Sequence, residues 1–542
     1  MNVKLKKIKI LSPDDVLKKI KTTPFIYKLT FIFSVLTTII VHGMGFINFF
    51  FNEDTINRWN FFTRWAFIAR GGWGVDLLIR VSTWGYAVPW VAGVHVIISL
   101  SLANVVIVKV LDIQSNIFAM LSSFLVIAFP TLAFTFSFNF SMHAFSWAIF
   151  FACFAVYLTQ KFKFGFILGA FSLVLSFMYQ AYIGWAAGLS LMIIIKHLLF
   201  NRFNLRCFSI NLGKYFLMGV SGILLYLLSV RITLLVAGVE MRAYRGLDTM
   251  GRVPFRELPL LVRRSFNTFF DFFFTNRFDT NPSIVNIIYT LTFVFIFIIL
   301  AIIIYITKVK IINAVLIIIL LVLLPIGLNI TEVFAYATFA DTNWIPQFSL
   351  IFVFLMCLVN HLYTHVQKSK VALSDSLYNT ILLMKWFVVI IFIILSSQFY
   401  ARAGVFYLKQ YTYHARTTNF YTRLLTRIED TEGFRRGIPL MTYGHFGETQ
   451  MYNPLLGFDP SGYQFPEITG DRLLRGQFVG FTHTWQRGQT YFPVWAGVYF
   501  PDPPTIVRQH ILTSEYFHNM PAWPAPGSVR VIYDVVVVRF TY

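Results

Sequence analysis

With 542 residues, of which 57% are hydrophobic and 13% charged, and a mean hydropathy of +0.66, the chain is far too apolar for a soluble globular protein of this length. Its formal net charge of +21 does not point to nucleic acid, because no basic soluble module stands apart from the apolar runs; basic cytoplasmic loops facing anionic headgroups account for it. Cys153, Cys207 and Cys357 offer no disulfide framework, CxxC pair or zinc spacing.

The opening segment, 1–25, carries Lys4, Lys6, Lys7, Lys9, Lys18, Lys19 and Lys21 and stays cytoplasmic by the positive-inside rule. Ser12 ahead of Asp14, Asp15, Val16, Leu17 and Ile20 predicts a short capped helix with an apolar side, lying on the inner membrane face. The first apolar run begins near Phe25, behind this lysine-rich stretch, and no small-residue cleavage site follows it. It reads as a retained span rather than a removable leader.

Apolar stretches of about 20 residues, enough to cross a bilayer, recur at 26–48, 87–110, 117–137, 142–160, 164–180, 181–200, 213–236, 284–307, 311–330, 345–366 and 379–400. They predict a polytopic α-helical membrane bundle over 26–400, with about eleven transmembrane helices. The run from Phe164 to Phe200 is too long for one helix and is divided at Tyr179, Gln180 and Tyr182. Alternate connections hold Lys109, then Lys161 and Lys163, then Lys196, Arg202 and Arg206, then Lys308 and Lys310, then Lys368 and Lys370, which places them inside. The opposite set holds Glu53 and Asp54, Asn139 and Ser141, the Tyr179 to Tyr182 break, and the segment from Glu332 to Asp341. An odd number of crossings puts the C-terminal tail outside.

Two outer-face loops stand out, 51–86 and 237–283. The first opens on the adjacent carboxylates Glu53 and Asp54 and continues with Arg58, Arg64 and Arg70 among aromatics. A surface helix from Thr55 to Ala69 is expected, with Glu53, Asn57, Asn60 and Arg64 on one side and Trp59, Phe62 and Ala66 on the other. The second loop resists the charge rule, since it carries Arg242, Arg245, Arg252, Arg256, Arg263, Arg264 and Arg277 on the translocated side. The planar guanidinium fork suits phosphate, and Arg242 and Arg245 are the candidates for that role; from Pro254 to Phe274 the alternation equally fits an interfacial helix snorkelling into headgroups. From 401 onward glycine, proline and mixed charge replace the isoleucine and phenylalanine runs. The expectation is a soluble α+β domain over 401–542, helical from Arg402 to Thr431 and ending in strands at VRVIYDVVVVRF.

Nucleotide and hydrolase signatures are missing: no phosphate loop, HExxH, GxSxG or GxGxxG after a strand occurs. Polar groups gather instead at the outer ends of helices: Glu53 and Asp54, Asn139 and His143, Tyr179, Gln180 and Tyr182, and Glu332 and Asp341. For the acidic pair two readings stand. Asp54 can cap the following helix, or one carboxylate can act as general base toward a hydroxyl at the membrane surface, its neighbour's charge and partial burial favouring protonation near neutral pH.

An acidic pair after the first membrane helix, a surface helix behind it, and a helical bundle ending in an external domain resemble the GT-C superfamily of lipid-carrier-dependent glycosyltransferases. Within it, NEDTINRWNFFTRWAFIARGGW at 52–73, SFMYQAYIGWA at 176–186 and MPAWPAPGSVRV at 520–531 resemble the bacterial O-antigen glucosyltransferases of the type II serotype-converting family. The family's arginine–tryptophan element appears here as Arg70-Gly-Gly-Trp73, with glycines inserted. The resemblance implies a multi-pass protein of the bacterial inner membrane with a cytoplasmic N-terminus and a periplasmic C-terminal domain. It implies glucose transfer, with inversion, from a polyprenyl-phosphate donor to an O-antigen sugar hydroxyl on the periplasmic face. Asp54 or Glu53 would be the base, with Asp54 favoured. Arg70, Arg242, Arg245 and Arg58 would hold the leaving phosphate. Trp65, Trp73, Tyr179, Gln180, Tyr182, Asn139, His143 and Glu332 would line the sugar or lipid site. The C-terminal domain would close over the site, and His445, Glu448, Trp485 and Asp502 are its polar or aromatic candidates for contact with polysaccharide. A glucosyl-lipid synthase and a flippase would be functional partners. No cofactor is expected and no metal is required, although Glu53, Asp54 and Glu332 could supply oxygen ligands if they met.

The rival reading is a transporter or flippase of a lipid-linked sugar, which would place ionisable groups near the bilayer midplane on broken helices. A third, an assembly scaffold, predicts that no single carboxylate matters.

Overall fold

Proline and glycine punctuate the apolar runs and open many of the helices. The computed structural model describes residues 12–50, 67–200, 205–242, 253–275, 283–334, 342–368, 375–444 and 492–540. Helix α1 (Pro13–Thr22) opens with proline and a reciprocal cap: the Ser12 hydroxyl accepts from Asp15 N at 3.2 Å and the Asp15 carboxylate accepts from Ser12 N at 3.3 Å. Helix α2 (Phe25–Ile47) follows Pro24. After the 3-10 turn Ile68–Arg70 come α3 (Trp73–Thr83), α4 (Pro89–Leu111), α5 (Asn116–Ile127), α6 (Pro130–Phe136), α7 (Met142–Lys161) and α8 (Gly165–Ser176). A second 3-10 turn, Gln180–Tyr182, leads into α9 (Ile183–Phe200), then α10 (Leu205–Ala237), α11 (Leu258–Phe274), α12 (Ser283–Thr307), α13 (Ile311–Leu328), the short α14 (Ile330–Phe334), α15 (Leu350–Lys368) and α16 (Asp375–Glu429).

Among the described residues nine helical stretches are long and apolar enough to cross a membrane, or ten if the bent pair α5–α6 forms one span. Two of the eleven expected crossings come out differently. The stretch at 117–137 is broken by 48° where Pro130, lacking an N–H, cannot continue the ladder of α5. The stretch at 164–200 divides at the expected place, but α8 has only 12 residues, about 18 Å of rise against a hydrocarbon core of about 30 Å.

Helix α16 runs for 55 residues, about 80 Å, and passes residue 401 without a break, so the composition shift falls inside a continuous helix. Its far end packs Phe420, Tyr421, Leu424 and Ile428 against a small sheet. That sheet has strand order β1-β3-β2, with β1 (Leu440–Tyr443) parallel to β3 (Val535–Arg539) and β2 (Val529–Ile532) antiparallel to it. Central β3 is covered on both sides, which is why its valine run does not alternate with polar residues. Two short helices, α17 (Thr505–Thr513) and α18 (Glu515–His518), cover the other sheet face through Ile511 and Phe517.

Candidate active site

The sequence Arg70-Gly71-Gly72 makes a turn that a side chain at 71 would forbid. Gly71 sits at φ +78, and a Cβ there would lie 2.7 Å from the Tyr226 hydroxyl. Gly72 N donates to the Phe67 carbonyl at 2.8 Å and opens α3, whose first residue is Trp73. The glycines between arginine and tryptophan thus serve the backbone. They let the turn press onto α10, where the Tyr226 hydroxyl donates to the Gly71 carbonyl at 3.1 Å and the Trp73 indole donates to Ser229 Oγ at 2.9 Å.

Several polar breaks that the sequence spreads over two hundred residues meet here. Arg242 N donates to the Ala69 carbonyl at 2.7 Å, which joins the arginine-rich second loop to the Arg70 turn. The Arg70 side chain is half-buried and that of Arg242 is exposed. Gln180, buried in its own 3-10 turn, donates to Tyr226 Oη at 2.8 Å and approaches the Arg70 carbonyl at 3.5 Å. From the other side the Thr331 hydroxyl donates to the carbonyls of Ala181 at 3.2 Å and Gln180 at 3.4 Å. The next residue, Glu332, is 4% exposed; its carboxylate accepts from Asn329 Nδ2 at 2.6 Å and from the Thr268 hydroxyl at 3.0 and 3.1 Å. One hydrogen-bonded layer therefore runs from Arg242 through the Arg70 turn and Gln180 to Glu332 and α11.

Asn139 holds the chain where the first span ends. Its amide, buried, donates to the Phe50 carbonyl at 2.5 Å and so tethers the chain just ahead of Glu53. Phe49 packs against the C-terminal core, and the Phe50 ring lies 6.3 Å from those of Tyr411 and His414 on α16. The end of α2 is thus clasped between the bundle and the C-terminal region.

Other expected site residues lie deeper. Tyr182 is 0% exposed and packs edge-on against Tyr179 at 4.9 Å and Phe145 at 6.4 Å, so it offers no surface to sugar or lipid in this arrangement. His143, 1% exposed, faces Ser82 with Nε2 to Oγ at 3.1 Å. The Ser82 hydroxyl donates to the Leu78 carbonyl, so His143 Nε2 carries the proton. It too belongs to the packing of α3 on α7. Tyr179 and Trp73 remain half-buried, with ring surface left to offer.

Glu53, Asp54, Arg58, Arg64, Trp65, Arg245, Asp341, His445, Glu448 and Trp485 lie outside the described residues, as does most of the expected helix from Thr55 to Ala69. Asp502 is described, exposed, and 3.7 Å from Arg508. Among the described residues no cluster of three His, Cys, Asp or Glu side chains could hold a metal. Sequence reasoning missed Tyr226, Ser229, Thr331 and Thr268. Tyr226 carried a usable signal, since a phenol inside an apolar span needs a partner.

No curated protein and no solved structure matches the chain. The family profile described as glucosyl transferase GtrII matches residues 43–341, which takes in the whole hydrogen-bonded layer from the Arg70 turn to Glu332. That match spans more than half of the chain, and the protein belongs to this family of glycosyltransferases, which transfer glucosyl groups in O-antigen modification.

Proposed function

We propose that the chain moves glucose from a polyprenyl-phosphate donor to a sugar hydroxyl of O-antigen on the periplasmic face of the inner membrane, with inversion at the anomeric carbon. Asp54, or Glu53, takes the proton of the acceptor hydroxyl as its oxygen attacks that carbon from the side opposite the phosphate. The new bond forms as the bond to the phosphate oxygen breaks, and the electron pair ends on the phosphate, which gains a negative charge. Arg70 and Arg242 stabilise that growing charge, helped by Arg58 and Arg245. Phosphate leaves as an anion, so no second acid is needed. Trp73, Tyr179 and Trp65 contribute ring faces to the sugar or the lipid groove. The C-terminal region, held to the end of α2 through Phe49 and Phe50, closes over the acceptor.

The observation that carries this reading is the bond from Arg242 N to the Ala69 carbonyl, which brings two arginines from distant loops to one turn inside the family match. Among the described residues nothing comparable favours lipid transport. The test is a transfer assay with purified polyprenyl-phosphate glucose and O-antigen acceptor. Asp54→Asn is expected to lower kcat by about a hundredfold or more, with Glu53→Gln less affected. Full activity in both variants at equal protein level sinks the general base. Lipid movement across vesicles, with no transfer by the wild type, would sink the reaction itself.

A further inference from the structure

Three consecutive carbonyls, those of Ala69, Arg70 and Gly71, each receive a hydrogen bond from a different part of the chain. The Ala69 carbonyl takes the N–H of Arg242 at 2.7 Å. Nε2 of Gln180 approaches the Arg70 carbonyl at 3.5 Å, and the Gly71 carbonyl takes the Tyr226 hydroxyl at 3.1 Å. Gln180 also donates to Tyr226 Oη at 2.8 Å, so its amide and the phenol act as one unit. The phenol is itself fixed: its ring stacks on Phe177 at 4.3 Å with 14° between the planes. A phenylalanine at 226 would keep that stack, but it would leave the Gly71 carbonyl without this donor and Gln180 Nε2 without this acceptor. What the hydroxyl adds is its hold on the turn.

Given that Arg70 and Arg242 hold the donor phosphate, we propose that Tyr226 and Gln180 are positioning residues for donor binding. Their bonds draw the carbonyls of the turn toward α10 and the Gln180 turn. The backbone of Arg70 is thereby fixed beside that of Arg242, and the two guanidinium groups spring from adjoining stretches of main chain. Gly71 makes this possible: the left-handed turn and the contact with Tyr226 both require the absence of a side chain. A diester phosphate that becomes a dianionic monoester gains most from donors already in place, because little reorganisation then accompanies the change in charge. Neither residue touches the substrate in this scheme; both act through Arg70.

The two substrates are titrated separately in the transfer assay. Tyr226→Phe is expected to raise KM for polyprenyl-phosphate glucose about tenfold, while KM for the acceptor stays at the wild-type value. Gln180→Leu should do the same, and the double variant should be no worse than the worse single one, since the pair acts as a unit. A purely structural contact would instead lower the thermal midpoint and raise both KM values together; that result, or an unchanged donor KM in Tyr226→Phe, overturns the assignment. Arg70→Lys and Arg242→Lys separate the two possible failures. If they raise donor KM and Tyr226→Phe does not, the positioning role is wrong and the phosphate role stands. If neither arginine affects donor KM, the phosphate role falls and takes the positioning role with it.

Discussion

Gly71 is the residue where sequence and geometry constrain each other most tightly. Replacing it with alanine adds a left-handed residue, at a cost of about 1 to 2 kcal/mol, and sets a methyl group against the Tyr226 hydroxyl. Gly71→Ala should therefore lower the thermal midpoint in detergent and weaken transfer; wild-type values for both would show that the turn relaxes freely. Glu332 makes a different prediction. Glu332→Ala strips Asn329 Nδ2 and the Thr268 hydroxyl of their buried acceptor, at about 1 to 3 kcal/mol for each group. Glu332→Gln keeps one carbonyl oxygen and should lose less, so equal losses would argue against the acceptor role. His414, beside Phe50, has its pKa lowered from 6.5 by burial. Unfolding frees it to bind a proton, so its contribution is complete above about pH 6.5 and is lost as pH falls below that value. His414→Leu should show a smaller drop in thermal midpoint between about pH 7 and pH 5.5 than the wild type; parallel curves would exclude this contribution. At this scale the sequence exposed Arg70, Gln180 and Glu332 because each interrupts an apolar pattern. Thr268 stayed hidden, since a hydroxyl in an aromatic-rich helix usually satisfies its own backbone.

Helices were legible to within a few residues because apolar runs between basic clusters leave little freedom, as in α2 and α4. Breaks within runs were not, because the compensating group comes from elsewhere in the chain. Pro130 stops α5, and the stranded Ile127 carbonyl is satisfied by His42 Nε2 of α2 at 2.9 Å. A carbonyl can only accept, so Nε2 carries the proton, and neutral His42 receives the Tyr407 hydroxyl on Nδ1 at 2.8 Å. Gly45 allows that approach, since a Cβ there would lie 2.7 Å from the Tyr407 ring. One imidazole thus joins α2, the broken α5–α6 pair and α16, three elements with no sequence proximity. His42→Ala should destabilise more than Tyr407→Phe, because it strips both the carbonyl and the phenol of their partner. Their combined effect should fall well short of the sum, since they share one network. Additive losses would mean that the two groups act separately. The same logic explains why the short α8 was legible as a separate helix but not as an undersized one: its end is set by Gln180, whose partners lie on α10 and in the Arg70 turn.

Two sets of contacts lie at opposite ends of the bundle. At one, the Arg70 turn, Gln180, Tyr226 of α10 and Thr331 are bonded together, and Asn139 separately holds the Phe50 carbonyl just past α2. At the other, Lys196 Nζ donates to the Val110 carbonyl at 3.3 Å, His361 Nε2 to the Leu111 carbonyl at 2.9 Å, and Asn360 accepts from Gln114 and Ser115 N–H. Helix α8 runs from the lysine end toward the Arg70 end and α9 returns, although α8 alone is short of a bilayer. The C-terminal region lies at the end where α2 stops, since Phe49 packs on its core and Phe50 lies against Tyr411. If the lysine end is cytoplasmic, Cys207, exposed in the first turn of α10, should resist a membrane-impermeant maleimide in intact spheroplasts and react after lysis. A cysteine replacing exposed Asp502 should react in both, and the buried Cys153 and Cys357 in neither. The opposite pattern would put the Arg70 turn in the cytoplasm, where nucleotide sugars are available and a lipid-borne donor would have no advantage. Sidedness is thus the property on which the donor class depends.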